Sequence, residues 1–262
     1  MDHFALKNGV MHAEDVPLPQ IAEKVGTPVY VYSRATLERH AKVFRDALEA
    51  VPDKLIAFAV KSNPNLAVLK VLQRQGYGAD VVSVGEMRRA LAAGIGPEMI
   101  VFSGVGKTRR ELIEALDAGI GQFNIESEEE GVELAELAAE KGVTAQCALR
   151  INPDVDAGTH DKISTGKADN KFGVPIDQAG QIFGKLAAMP GVNLRGVAVH
   201  IGSQLGDVSP LERAFEKLGR LVTSLRGAGH AITHVDLGGG LGVPYKKGEH
   251  LPPPSEYGAM VA

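Results

Sequence analysis

A single cysteine, Cys147, rules out an intrachain disulfide, and its place in the apolar run AQCALRI reads as a buried structural thiol. Metal-ligand spacing is missing as well. There is no H-E-x-x-H, no C-x-x-C and no other usual His, Cys or carboxylate pattern, so no metal site is expected. No apolar run approaches the roughly 20 residues of a membrane helix. The N-terminus, MDHFALKNGV, lacks the basic segment and long apolar stretch of a secretory signal. Net charge is slight, -4 over 262 residues, which gives no general pull toward nucleic acid or anionic lipid. A cytoplasmic chain that binds neither nucleic acid nor membrane is therefore expected. With 44% hydrophobic and 23% charged residues, it has the length and composition for one large α/β domain or two small ones.

What is present is alternation. Short apolar runs at 29–32, 55–60, 79–83, 99–103, 120–125, 145–151, 194–201 and 232–237 are predicted strands. Amphipathic stretches near 34–50, 65–75, 84–93, 108–118, 127–141, 176–188 and 209–228 are predicted helices. Ser127 followed by the acidic turn Glu128–Glu130 marks a helix start, and Gly142 marks its end. Such alternation implies a parallel sheet covered by helices. Polar residues cluster after the ends of several different strands, which suits a barrel better than a doubly wound sheet with one switch point. With 29–32 set aside as a lead-in, about seven barrel strands remain. Residues 1–28 read as a strand, a Gly turn and a second extended stretch with no partner in the chain, and 152–173 as a long polar loop.

Several strand ends carry chemistry. The run KLIAFAVKSNPN delivers Lys61 to the tip of an apolar strand. An amine there can condense with an aldehyde; attack needs the uncharged form, which an apolar surrounding favours by desolvation. FSGVGKT, residues 102–108, ends like a P-loop, but the first glycine of that motif would fall at Val101, so a strand-to-helix turn with Thr108 as N-cap is favoured. VDLGGGLGVPY sets Gly238, Gly239 and Gly240 after a strand. A dinucleotide fingerprint would need glycine at Val243, while an anion-binding turn and an empty tight turn both stay open. His200 ends another strand with Ser203 nearby, Asp80 and Glu86 flank a third, and Arg150 lies within an apolar strand and needs a partner or an anionic ligand.

Jointly, FAVKSN, GADVVSVGEM, LRINP, ISTGKADNKFG, HIGSQ and VDLGGGLGVPY, in this order, resemble the diaminopimelate decarboxylase family within the alanine-racemase-like, fold type III, pyridoxal-phosphate enzymes. The resemblance covers essentially residues 3–262. It implies an α/β fold, a (β/α)8 TIM barrel of the alanine racemase type, here incomplete, with residues 34–262 as the barrel and 1–33 as the N-terminal piece of a separate β-domain. It implies pyridoxal 5'-phosphate as cofactor, held covalently by Lys61, with His200 against one face of the ring. Ser203 and the Gly238–Gly240 turn would hold the phosphate, Asp80 and Glu86 would support the lysine and cofactor, and Arg150 would lie near the ring. The loop around His160–Lys171 would close over the site. The implied reaction is decarboxylation of an amino acid, meso-diaminopimelate to L-lysine, by a homodimer. Members of the family continue with a Glu-Pro-Gly-Arg strand and a β-domain bearing Cys-Glu-Ser, neither of which occurs here, so little activity is expected of these 262 residues alone. Decarboxylases of ornithine, arginine or carboxynorspermidine, and a pyridoxal-phosphate-binding barrel without catalysis, are the alternatives.

Overall fold

A computed structural model describes residues 3–156, 166, 171–246 and 248–262. The chain opens with β1 (Phe4–Lys7), β2 (Val10–Ala13) and β3 (Val16–Pro17), an antiparallel three-stranded sheet. The strand, Gly turn and second extended stretch read in residues 1–28 pair among themselves, Phe4 opposite Ala13, and with no other strand among the described residues. A short helix that the sequence did not announce follows, α1 (Leu18–Val25). Glu14 pins this segment to the rest of the chain. Its Oε1 accepts hydrogen bonds from the Ser33 hydroxyl and the Ala35 amide, both at 2.8 Å. The predicted strand at 29–32 does not form, and Tyr30 is 89% exposed. Its Val-Tyr alternation suits a pleated, half-buried surface, and no neighbouring strand supplies one.

From there helix and strand alternate: α2 (Arg34–Ala47), β4 (Ala57–Ala59), α3 (Leu66–Arg74), β5 (Gly78–Val81), α4 (Val84–Ala92), β6 (Ile100–Phe102), α5 (Arg109–Ala118), β7 (Gln122–Ile125), α6 (Glu128–Glu140), β8 (Ala145–Asn152), β9 (Val174–Pro175), α7 (Ala179–Ala187), β10 (Val192–Val199), α8 (Ser209–Gly227), β11 (His234–Asp236) and α9 (Pro254–Val261). Ser33, Asn65, Ser83, Thr108 and Ser127 each stand one residue before a helix, and each side-chain oxygen accepts an early backbone N–H. Thr108 and Glu111 form a reciprocal capping box, so the GVGKT stretch is a helix start.

Seven strands form one parallel sheet in the order β4, β5, β6, β7, β8, β10, β11, and β9 adds to β8. The sheet curls into a half-barrel. Asn124 on β7 hydrogen-bonds Asp236 on β11 at 2.8 Å, although β8 and β10 lie between them and a flat sheet would hold the two strands about 14 Å apart. Phe102, Phe123, Phe183, Leu149 and Cys147 are fully buried in the apolar core. Helices α2 and α9 meet through Phe44 and Tyr257, whose rings stack 5.8 Å apart. Among the described residues β4 and β11 each pair with one neighbour, and Val235 on β11 is 46% exposed. No described helix is long and apolar enough to cross a membrane.

Candidate functional site

Strand β4 is shorter than its apolar run. It ends at Ala59, and the chain turns through a single 3-10 turn, Val60–Ser62. Lys61 sits on that turn and is exposed, which corrects the expected burial at a strand tip. The Ser62 hydroxyl closes the turn by donating to the Ala59 carbonyl at 2.7 Å. The ammonium charge nevertheless reaches into the half-barrel, where it acts on both Asp80 and His200.

Asp80 projects from β5. Burial pushes its carboxyl up to about 6; the Ser103 hydroxyl, which donates to its Oδ1 at 2.5 Å, opposes that, Asp236 adds to it, and Lys61 and Arg150 oppose it. His200 follows β10 and is half-buried. Burial, reinforced by the charges of Arg150 and Lys61, drives its imidazole down to about 4, so the ring is neutral near pH 7. The Gly239 amide donates to its Nδ1 at 3.3 Å, which leaves the ring proton on Nε2.

Arg150 lies on β8, buried, and has its partner in the chain. Its guanidinium donates to Glu126 Oε1 at 2.6 Å and lies 4.9 Å from the Phe172 ring centre. The same carboxylate takes the Gly104 amide at 2.9 Å and, through Oε2, the Gly173 amide at 3.1 Å. Glu126 thus ties the loops of Gly104 and Gly173 to Arg150.

The glycine turn is interlocked with the loop after β10. Gly240 accepts from the Leu205 amide at 2.8 Å, and Leu205 accepts from Gly242 at 3.0 Å. Gly240 has φ +109°, and a β-carbon there would lie 2.0 Å from the Gly202 carbonyl oxygen. At Gly238, φ +66°, it would meet the Val199 oxygen at 2.3 Å. Gly239 faces open space, and Ser203, in the loop after β10, is exposed. Glu86 serves a different end: its Oε2 accepts the Val82 amide at 2.9 Å and braces the start of α4. Of the expected closing loop around His160–Lys171, only Gly166 and Lys171 are among the described residues.

Four contributors went unread in the sequence: Ser103, Asn124, Glu126 and Asp236. Gln122, Asn124 and Glu126 alternate with Phe123 and Ile125, so the polar set shares the inner face while the apolar set joins the core. That alternation was the available signal.

A neutral ring, an exposed amine and a glycine turn with one open position fit an aldehyde carrying an aromatic ring and a phosphate. Comparison with known proteins points the same way. Residues 34–261 match the pyridoxal binding domain of pyridoxal-dependent decarboxylases. The chain is 54% identical over 261 residues to the diaminopimelate decarboxylase of Zymomonas mobilis, covering 98% of this chain and 62% of the relative. For the Vibrio cholerae diaminopimelate decarboxylase the figures are 51% over 259 residues, 98% and 61%. The crystal structure of diaminopimelate decarboxylase from Helicobacter pylori complexed with L-lysine is similar at TM-score 0.89 and 36% identity, over 93% of this chain and 61% of that one. The chain spans 61–62% of the length of these two sequence relatives.

Proposed function

The chain belongs to the pyridoxal-dependent decarboxylases, whose pyridoxal binding domain matches residues 34–261, and on that premise we propose that the protein carrying it converts meso-2,6-diaminopimelate to L-lysine and CO2. The observation that carries the substrate is the 54% identity to a diaminopimelate decarboxylase along 98% of this chain.

In this reading Lys61 supplies the amine that holds the pyridoxal aldehyde. When bound, pyridoxal phosphate provides an electron sink for the pair left behind by the departing carboxylate. His200 presents a neutral aromatic face, kept in one tautomer by the Gly239 amide. The Ser203 hydroxyl and the Gly238–Gly240 turn would hold the phosphate, the open position at Gly239 leaving room for close approach. Arg150, fixed by Glu126, supplies a permanent positive charge in the half-barrel. Asp80 would set its carboxyl against the charge of Lys61.

We also propose that residues 1–33 belong to a separate β-domain and that the whole enzyme is a cytoplasmic homodimer. The exposed Leu6, Met11 and Val16 of the three-stranded sheet support a further covering layer. Residues 1–262 alone should turn over little substrate, since both edges of the half-barrel are unpaired among the described residues.

The test is chemical. Pyridoxal phosphate followed by borohydride should label Lys61, as located by peptide mapping. The protein carrying these residues should release lysine and CO2 from meso-diaminopimelate faster than it decarboxylates ornithine, arginine or carboxynorspermidine. An unlabelled Lys61 refutes the cofactor site. Label without CO2 from any of these substrates favours a binding barrel without catalysis, and a faster rate on another substrate reassigns the specificity.

A further inference from the structure

Inside the half-barrel a chain of hydrogen bonds runs from Asp80 to the glycine turn. Gln122 Nε2 donates to Asn124 Oδ1 at 2.9 Å, which fixes the orientation of the Asn124 amide. Asn124 Nδ2 therefore points its two hydrogens at Asp236 Oδ2, 2.8 Å away, and at Ser103 Oγ, 3.0 Å away. With its oxygen already accepting, the Ser103 hydroxyl gives its own proton to Asp80 Oδ1 at 2.5 Å. Asp236 Oδ1 in turn accepts the Gly238 amide at 2.8 Å. Every donor in this chain has one direction, set by the buried Gln122 and Asn124.

We propose that Ser103 and Asp236, joined through Asn124, are positioning residues that govern whether Asp80 carries its proton beside Lys61. The consequence for aldehyde capture rests on the reading of Lys61 given above; the network does not. The charged groups acting on Asp80 are Asp236 from β11, Lys61 from the turn after β4 and Arg150 from β8. Hydrogen bonding from Ser103 favours the ionised carboxylate, and the negative charge of Asp236 favours the neutral acid. The two residues therefore pull Asp80 in opposite directions. An ionised Asp80 stabilises a neighbouring ammonium ion, and a neutral one does not.

The experiment is a pH titration of the Asp80 side-chain carboxyl carbon by NMR, its signal assigned by its loss in Asp80→Asn. Ser103→Ala should move the midpoint up by about one pH unit, the loss of one charge-assisted hydrogen bond. Asp236→Asn should move it down, and Ser103→Thr, which keeps the hydroxyl, should restore the starting value. Mere loosening of the fold would admit water and lower the midpoint in both variants. Should Ser103→Ala or Asp236→Asn fail to fold, Ser103→Cys and Asp236→Ser carry the same signs. A midpoint that stays or falls without the hydroxyl, or that does not fall without the Asp236 charge, overturns the proposal. Failure of borohydride to label Lys61 while both midpoints move as stated would sink only the cofactor reading.

Discussion

Removing the Glu126 carboxylate should be among the most damaging single changes in the half-barrel. The side chains of Glu126 and Arg150 are 2% and 9% exposed, and their closest N to O distance is 2.6 Å. Glu126→Leu strands the guanidinium without its counter-charge and also leaves the Gly104 and Gly173 amides without their acceptor. Breaking a buried pair by removing one partner costs about 3–5 kcal/mol. Taking the lower figure alone, the ratio of folded to unfolded chain falls by about two orders of magnitude. Urea unfolding at neutral pH measures this directly, with a lower midpoint at an unchanged slope. Glu126→Gln retains the shape and one acceptor oxygen, so its loss should be smaller but still above about 1 kcal/mol. Replacing both partners, Glu126→Leu with Arg150→Met, removes the stranded charge and should recover part of the stability, giving a favourable coupling in the double-mutant cycle. A Glu126→Leu variant within about 0.5 kcal/mol of the parent would refute the argument, because it would mean that water reaches the guanidinium freely.

Asp80 and His200 should give opposing pH dependences. Asp80 is raised from 3.8 to about 6, so it adds stability at low pH that fades as pH climbs through that interval; His200 is lowered from 6.5 to about 4, so its contribution is present above 6.5 and fades as pH falls. Each spans about 3 kcal/mol, so the parent's urea midpoint should vary little on their account. Asp80→Asn should lose stability relative to the parent on acidification and His200→Gln should gain it; profiles parallel to the parent would refute both assignments. The glycine turn offers a separate contrast. Gly240→Ala places a β-carbon 2.0 Å from a carbonyl oxygen at φ +109° and should destabilise by more than about 2 kcal/mol, whereas Gly239→Ala, with nothing within 4 Å, should stay within about 0.5 kcal/mol. Equal urea midpoints for the two variants would contradict the interlocked turn.

The helices were legible because their starts are local. Ser33, Ser83, Thr108 and Ser127 each cap a backbone N–H within their own turn. Strand length was not, since a strand ends where its neighbour ceases to pair. Lys61 thus left β4 for a 3-10 turn, and the residues 29–32 found no sheet at all. In the site, Lys61, Arg150 and His200 announced themselves by interrupting or ending apolar runs. Asn124, Glu126 and Asp236 did not, because their meaning depends on which face of a strand looks inward and on how far the sheet bends. Glu86 is the converse: it stands in the GADVVSVGEM motif and spends its carboxylate on the Val82 amide. A polar inner face has no stable place on a flat sheet packed between helices, where its groups would be buried without partners. Curling brings Asn124 to Asp236, while Ser103 reaches Asp80 across the adjacent strands β6 and β5, and these groups satisfy one another. The polar stripe of β7 and the curvature of the sheet therefore require each other, and a reading confined to single strands sees neither.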